Sequence, residues 1–424
     1  MRQNSSKTFN TICEAIGGTP LIKLNKVPQE HGVKCQIYAK AEFLNIGGSI
    51  KDRIALTMIE AAEKKKLIKP GDTLVEASSG NTGIGLALVA LIRGYKLKII
   101  CTDKVSCEKI ETLKNLGAEV IVTSCDFDRD HPCSSHMISI ALGKLPNHHL
   151  LDQYSNPSNV KAHYDTTAEE IYEQMKGKID YVFCGAGTCG TITGIGKKLH
   201  EKIPQVKIIG IDLIGSVLSP KSDPCLVNQK HKIEGIGQMK APAILDYSQI
   251  QDWVKIDDKE SFVMARDIIA KEGLLIGGSS GACLYGAIQY LKSNHLEKNP
   301  NLRCVVIFPD SVRNYMTKFF CDNWMVGNGF YPPEKLLDNT NPLSSITILD
   351  LPNIKPSPYF DKRLTVNDCF DIFKTGVQII PIREKGELIG VVTQDSLIDG
   401  VYHQQLNNLS SSFHCITKNY FWVR

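Results

Sequence analysis

Between about residues 35 and 310, short apolar runs alternate with segments of helical periodicity. The apolar runs are typical of buried strands, and they are CQIYAK, TLVEA, LKIIC, AEVIVT, YVFCGAG, VKIIGID and RCVVIF. Between them, apolar side chains recur every three to four residues, as in TGIGLALVALIRG and EKIETLKNLG. This alternation predicts an α/β fold with parallel-type sheets that helices cover on both faces. The length of the alternating region is typical of two lobes.

The pattern breaks near residue 326, where VGNGFYPPEKLLDNTNPLSS is rich in Gly, Pro, Asn and Ser. We therefore predict a large domain over residues 1–328, a linker over 329–345 and a smaller unit over 346–424. In the smaller unit LTVNDCFDIFKTG has helical spacing, and VQIIPI and ELIGVVT are strand-like runs joined by the turn REKG.

Composition argues against several classes of protein. The formal net charge is only +4, and no basic stripe with interleaved aromatic residues indicates nucleic-acid binding. No apolar run reaches the length of a membrane span, and the N-terminal segment lacks the apolar core of a signal peptide. The 14 cysteines are scattered and match no zinc pattern, which favours reduced thiols and a cytoplasmic location without a metal site.

Lys51 is the first candidate for chemistry. It follows two glycines and Ser49 and begins a helical segment, IALTMIEAAEKK, for which Ser49 is a suitable N-cap. The positive end of the helix dipole and apolar neighbours lower the pKa of a lysine, which favours the neutral amine that forms a Schiff base. The alternative is a surface lysine at a helix start.

Three further loops join a strand-like run to a helical one. Residues 76–83, EASSGNTG, expose backbone N–H groups and hydroxyls to an anion, and Asn81 adds an amide for a ring hydroxyl. Residues 185–191, GAGTCGT, have the composition of a phosphate cup, and residues 277–281, GGSSG, place a hydroxyl where a ring nitrogen can meet it. Each loop alone is also consistent with a capped strand-to-helix turn.

Together the four loops predict one ligand. Strand-to-helix junctions gather at the carboxyl edge of parallel sheets, where ligands bind. An amine partner, a phosphate cup, a ring-hydroxyl donor and a ring-nitrogen donor are the requirements of pyridoxal 5'-phosphate.

Several motifs resemble the cysteine synthase/cystathionine β-synthase family of fold type II pyridoxal-phosphate enzymes, which are tryptophan synthase β-like. They are GGTPLIKL at 17–24, GGSIKDR at 47–53, SSGNTGIGLA at 78–87 and EGIG at 234–237. Three more are similar to the cystathionine β-synthase branch, namely AHYDTTAEEI at 162–171, KEGLLIGGSSG at 271–281 and FPDSVRNYMTKF at 308–319. The resemblance covers residues 9–326, and residues 346–405 resemble one copy of the regulatory CBS (Bateman) repeat, followed by a fragment of a second.

The resemblance implies roles for individual residues. Lys51 would be the catalytic residue and would hold the cofactor. The cofactor-binding residues would be Lys51, Asn81, Gly187, Thr188, Cys189, Gly190, Thr191 and Ser279. The substrate side would be formed by Ser78, Ser79, Thr82, Gln153, Tyr154, Glu234 and Gly235.

The implied activity is a β-replacement that condenses L-serine with L-homocysteine to cystathionine and water in a homodimer, with hydrogen sulfide as a side product from cysteine. Two alternatives are a cysteine synthase that uses O-acetylserine and sulfide, and a catalytically impaired sensor with the same fold. Cys189 replaces a usual glycine, which costs ~1–2 kcal/mol if its φ is positive, and Gln238-Met239-Lys240 departs from the branch pattern after EGIG. No haem is expected, because the haem-binding extension is absent, and the S-adenosylmethionine site is expected to be incomplete with a single repeat.

Overall fold

The computed structural model describes residues 8–78, 80–227 and 229–332, and the shorter stretches 360–361, 368–369, 371–372, 379–384 and 387–393. The chain divides into two compact units, residues 1–336 and 337–424. The finer division at residues 328 and 345 stays a prediction.

The first unit contains ten strands within the described residues. They are β1 (Leu21–Lys23), β2 (Gln36–Ala41), β3 (Thr73–Ala77), β4 (Lys96–Thr102), β5 (Glu119–Thr123), β6 (His148–Leu150), β7 (Tyr181–Gly185), β8 (Lys207–Leu213), β9 (Asp252–Ile256) and β10 (Arg303–Phe308). One sheet has the order β1-β2-β10-β7-β8-β9 and the other β5-β4-β3-β6. All neighbouring pairs are parallel except β1 with β2. The predicted α/β architecture with parallel sheets is thus confirmed.

Helices connect these strands. They are α1 (Lys26–Glu30), α2 (Lys51–Lys64), α3 (Asn81–Arg93), α4 (Cys107–Asn115), α5 (Ser135–Gly143), α6 (Pro157–Ala162), α7 (Ala168–Met175), α8 (Gly190–Lys202), α9 (Asp258–Glu272), α10 (Gly278–Ser293) and α11 (Asp322–Gly327). A short π-helical segment, His163–Thr167, joins α6 to α7.

The six-stranded sheet is buried on both faces because side chains alternate along each strand. In β7, Phe183 packs in a core with α9 and α10, whereas Val182 and Cys184 pack in a second core with α7 and α8. A strand covered on both sides needs a continuous apolar run, which explains YVFC and its neighbours in the sequence.

The four-stranded sheet packs against α2 and α3 through a third core. Gly85 allows these two helices to approach closely, since a Cβ atom there would lie 3.0 Å from the carbonyl oxygen of Lys51 and 3.1 Å from the Cβ atom of Ala55. This contact brings the first turn of α2 beside α3.

The second unit has a three-stranded sheet, in which β11 (Phe360–Asp361) is parallel to β12 (Ile379–Glu384) and β12 is antiparallel to β13 (Glu387–Thr393). The strands predicted over VQIIPI and ELIGVVT correspond to β12 and β13. Much of the helix predicted over LTVNDCFDIFKTG lies outside the described residues. Among the residues that are described, no helix is long and apolar enough to cross a membrane.

Candidate active site

A cavity of about 460 Å³ opens where the strand-to-helix junctions of the first unit meet. Eight of the predicted site residues line it, namely Lys51, Asn81, Thr82, Gln153, Tyr154, Thr188, Glu234 and Gly235. Ser78, Gly187, Cys189, Gly190, Thr191 and Ser279 lie outside that lining, and Ser79 lies outside the described residues. The junctions at Lys51, Asn81 and Thr188 are therefore brought together around one space.

Lys51 is the first residue of α2. The N-cap position is Ile50 and not Ser49 as predicted, but Ser49 Oγ still accepts a hydrogen bond from the Lys51 backbone N–H at 3.2 Å. Within the described residues, Lys51 Nζ has no hydrogen-bond acceptor and no ion-pair partner. Burial lowers the pKa of this amine below its ordinary value, although the charge of Asp310 opposes the shift. The structure thus presents an unpaired amine that gives up its proton more readily than an exposed lysine.

Side chains hold the start of α3 through hydrogen bonds. Ser78 Oγ accepts from the backbone N–H groups of Gly80 and Gly83 at 3.1 and 3.2 Å, so this hydroxyl satisfies groups that the helix leaves unpaired. Thr82 Oγ1 donates to Gln153 Oε1 at 2.6 Å, and Gln153 Nε2 donates to the carbonyl oxygen of Ala77 at 2.9 Å. These bonds fix the threonine and the glutamine in the cavity wall.

The glycine-rich loop before α8 has the backbone shape that the sequence analysis considered. Cys189 is in the left-handed region with φ 68°, directly before the first residue of the helix. Its thiol is buried, and Sγ donates to the carbonyl oxygen of Gly187 at 3.3 Å. Burial raises the pKa of this thiol well above its ordinary value, so the side chain stays neutral. A neutral thiol turned onto its own loop does not repel an anion at the helix N-terminus.

Two glycines in this loop lie against other segments with no room for a side chain. A Cβ atom on Gly187 would lie 2.2 Å from the carbonyl oxygen of Gly235, and one on Gly190 would lie 1.9 Å from Oδ1 of Asn159. Asn159 also donates to Thr188 Oγ1 at 3.0 Å, although the sequence analysis did not single it out. The loop at 187–190 is therefore in direct contact with the EGIG loop at 234–237 at one side of the cavity.

The buried polar groups at these junctions fit a ring-bearing phosphate ligand. Ser279 is buried in the first turn of α10, and within the described residues its hydroxyl has no hydrogen-bond partner. Asn159 Oδ1 is likewise buried without a partner there. Unused buried polar groups are costly in a folded protein, which favours a ligand that pairs with some of them.

Glu234 has a different environment from the one expected of a substrate-binding carboxylate. Its Oε2 accepts from Lys109 Nζ at 2.9 Å and its Oε1 accepts from Lys318 Nζ at 2.5 Å. Lys109 is fully buried and also donates to the hydroxyl of Tyr315 at 2.9 Å. The sequence analysis missed Lys109 because a lysine at helical spacing is usually exposed. Tyr315 lies in the quoted FPDSVRNYMTKF motif, but nothing local indicated its contact.

Tyr154 forms another part of the wall. Burial raises the pKa of its hydroxyl to about 12, and the Glu76 carboxyl acts in the same direction. The guanidinium of Arg129 lies 5.0 Å from the ring centroid. Tyr154 is therefore a neutral hydrogen-bonding group at physiological pH.

Lysines dominate the charged residues around the cavity. They are Lys51, Lys104, Lys230, Lys232 and Lys318, against the carboxylates of Asp103 and Glu234. Lys318 is paired with Glu234 and Lys230 with the exposed Asp126, whereas Lys104 and Lys232 have no side-chain partner among the described residues. The positive excess makes the cavity suitable for an anionic ligand.

Comparisons with known proteins show which family the chain belongs to. The family model described as pyridoxal-phosphate dependent enzyme matches residues 12–310, and the CBS domain model matches residues 350–403. A cystathionine beta-synthase of Dictyostelium discoideum is 50% identical over 77% of this chain and 64% of its own length. One of Oryctolagus cuniculus is 43% identical over 94% of this chain and 72% of its own length.

Among solved structures, an O-acetylserine dependent cystathionine beta-synthase from Helicobacter pylori is similar, with 32% identity and a TM-score of 0.66 over 74% of this chain and 98% of that one. The chain spans slightly less than two thirds of the length of some curated relatives that it matches. The match to the family model covers most of the first unit, including Lys51, Asn81 and the loop at 187–191. The chain is therefore a member of the pyridoxal-phosphate dependent enzyme family, in the branch that contains the cystathionine β-synthases.

Proposed function

We propose that this protein condenses L-serine with L-homocysteine to give cystathionine and water. The observation that carries the proposal is the unpaired Lys51 amine, with its lowered pKa, in a cavity that Asn81 and Thr188 also line. The relatives named cystathionine beta-synthase support the same reaction.

We infer that the cofactor's phosphate is held by backbone N–H groups of residues 187–191 at the start of α8, where the helix dipole favours an anion. Asn81 would contact the ring oxygen. The hydroxyl of Ser279, which has no partner among the described residues, would contact the ring nitrogen. When bound, pyridoxal phosphate supplies an electron sink for the charge left on the α-carbon of the amino acid.

Lys51 Nζ would act as the base. Because burial lowers the pKa of Lys51, its neutral form is available to accept the α-proton and to return it after the new bond has formed. The C–O bond at the β-carbon breaks as the hydroxyl takes up a proton and departs as water, and a C–S bond forms as the thiol gives up its proton. Thr82 at the start of α3 and Gln153, to which it donates, would orient the α-carboxylate.

The charge of the cavity supports an acceptor that carries its own carboxylate. Lys104 and Lys232 have no side-chain partner among the described residues that line the opening, so their ammonium groups are available to the carboxylate of homocysteine. Sulfide has no carboxylate with which these lysines could form an ion pair. For the donor, the O-acetylserine dependent Helicobacter pylori protein keeps O-acetylserine as the second candidate.

Product analysis separates the candidate reactions. We expect cystathionine from serine and homocysteine at a higher kcat/KM than cysteine from O-acetylserine and sulfide. The purified protein should show the absorption band of lysine-bound cofactor, and Lys51→Ala should abolish it while Lys64→Ala, at the exposed end of the same helix, retains it. Rapid cysteine formation with little cystathionine would favour the cysteine synthase, and a colourless, folded wild-type protein would favour the sensor.

We also propose that the chain forms a homodimer in the cytoplasm and that its catalytic domain, linker and regulatory part are residues 1–328, 329–345 and 346–424. Four exposed apolar side chains support an interface, namely Leu44, Ile46, Leu91 and Ile92. The first two and the last two belong to one region, because Gly47, next to Ile46, approaches Leu88 on α3. The single CBS domain match supports a regulatory ligand, with an S-adenosylmethionine site that one repeat leaves incomplete. Light scattering after gel filtration tests the dimer, and calorimetric titration with S-adenosylmethionine tests the regulatory site.

A further inference from the structure

Asp310 is a buried carboxylate two residues beyond the end of β10. It is 1% exposed, and two donors converge on its Oδ2 atom. Asn81 Nδ2 donates at 2.7 Å and the hydroxyl of Tyr315 donates at 2.5 Å. A second contact orients the same amide, since Asn314 Nδ2 donates to Asn81 Oδ1 at 3.2 Å.

These contacts determine which end of the Asn81 amide points where. Asp310 Oδ2 accepts from the Tyr315 hydroxyl, and Asn81 Oδ1 accepts from Asn314. Asn81 therefore turns its NH₂ group towards Asp310. That group has two hydrogens and Asp310 uses one of them. Because Asn81 lines the cavity, the second N–H is available to a ligand there. Asn81 therefore presents a donor, which pairs best with a negatively charged oxygen.

A buried cation fixes the direction of the hydrogen-bond chain from its other end. Lys109 Nζ has only donors, and it donates to the Tyr315 hydroxyl at 2.9 Å. Tyr315 has a single hydroxyl hydrogen, which it donates onward to Asp310. Each member of the chain Lys109–Tyr315–Asp310–Asn81 thus has one consistent role. Burial raises the pKa of Asp310, and the charge of Lys109 opposes that rise.

We propose that Asp310 is a positioning residue that holds Asn81 as a hydrogen-bond donor to the ionised ring oxygen of the bound cofactor, with Tyr315 and Lys109 fixing the carboxylate in turn. The inference rests on the proposed function only in that pyridoxal phosphate occupies the cavity. It concerns residues that act through Asn81, because neither Asp310 nor Tyr315 lines the cavity.

The test uses Asp310→Asn in the full chain. The new amide can donate to Asn81 Oδ1 and so lets Asn81 turn over. We expect the absorption of bound cofactor to move from the band of the ionised ring oxygen to the shorter-wavelength band of the neutral form, with the ratio of the bands falling at least about threefold. The Kd of the cofactor should rise roughly tenfold, as expected for loss of one charge-assisted hydrogen bond.

Asp212→Asn is the matched control. Asp212 is also fully buried near the end of a strand of the same sheet, its Oδ1 also lacks a partner among the described residues, and its Oδ2 accepts from Lys255 at 2.9 Å. Its band ratio should equal that of the wild type.

Several outcomes decide the proposal. A folded Asp310→Asn protein with the wild-type band ratio and Kd overturns it. If that variant does not fold, Tyr315→Phe replaces it, since loss of one donor to Asp310 should shift the ratio in the same direction, and an unchanged ratio overturns the proposal. A wild-type protein without any cofactor band overturns the proposed function, and this inference with it.

Discussion

Arg53 offers the sharpest test of what holds the first turn of α2 in place. It lies two residues after Lys51, and its guanidinium binds both oxygens of two carboxylates. Nε and Nη2 donate to Glu42 at 2.7 and 2.8 Å, and Nη1 and Nη2 donate to Glu170 at 2.6 and 2.8 Å. Burial would raise the pKa of Glu170, but Arg53 and Lys40 outweigh it and hold that pKa at about 2. The guanidinium thus ties α2 to α7 and to the segment after β2.

The expected cost of Arg53→Met follows from burial. The side chains of Arg53 and Glu42 are 2% and 0% exposed, so removal of the guanidinium leaves a carboxylate without its cation in the interior. Breaking a buried pair in this way costs about 3–5 kcal/mol. Arg93→Met is the matched control, since Arg93 is 37% exposed and its ion pairs with Glu60 and Glu63 lie at the surface. Such pairs contribute about 0–1 kcal/mol.

Urea unfolding followed by circular dichroism measures both variants under the same conditions. We expect Arg53→Met to lower the free energy of unfolding by at least about 2 kcal/mol more than Arg93→Met, with a similar dependence on urea concentration. Equal losses in the two variants would refute the reasoning, because burial would then not determine the strength of these ion pairs.

Three further outcomes follow from the site. Burial raises the pKa of Glu76 from 4.5 to about 8. Between these two values the folded protein keeps a proton that Glu76 of the unfolded chain has released. The free energy of unfolding should therefore fall as pH rises from about 4.5 to about 8. Urea titrations at pH 5 and pH 8 measure the difference in the free energy of unfolding between the two pH values, and Glu76→Gln should reduce this difference by roughly 4 kcal/mol. An unchanged difference would contradict the argument that the carboxyl group is buried. Cys189→Gly should change the free energy of unfolding by less than about 1 kcal/mol and the cofactor Kd by less than about threefold. Glycine relieves the backbone strain at the positive φ, but the buried side chain is lost and the unfolded chain becomes more flexible. The double variant Lys104→Gln/Lys232→Gln should raise the KM for homocysteine roughly fivefold and that for sulfide by a smaller factor. Lys240→Gln, outside the cavity lining, should alter neither.

Periodicity in the sequence was sufficient to predict most strands of the first unit. The run TLVEA corresponds to β3 and RCVVIF to β10 without an offset, because buried parallel strands need continuous apolar residues. The sequence analysis did not predict β1, which has only three residues, β6, whose residues His148 and His149 are polar, or β9, which mixes charged and apolar residues. These three strands have few fully buried residues, so their apolar pattern is weak.

The candidate site was predictable where the chemistry depends on local sequence. The neighbouring residues indicated that Lys51 begins a helix. The positive φ of Cys189 was considered only because the family usually has glycine at that position. The contacts of Asp310 and Lys109 were not predictable in the same way. Each depends on partners far along the chain, and only the fold brings those partners within hydrogen-bond distance.

The position of β10 in the larger sheet has a consequence for biosynthesis. This strand, near the end of the first unit in sequence, lies between β2 and β7. Residues 303–308 must therefore leave the ribosome before β10 can pair with β2 and β7. Until then both earlier strands have unpaired edges that chaperones or other nascent chains can bind. Asp310 emerges just after that strand, so translation must pass almost the whole first unit before Asn81 can acquire its partner.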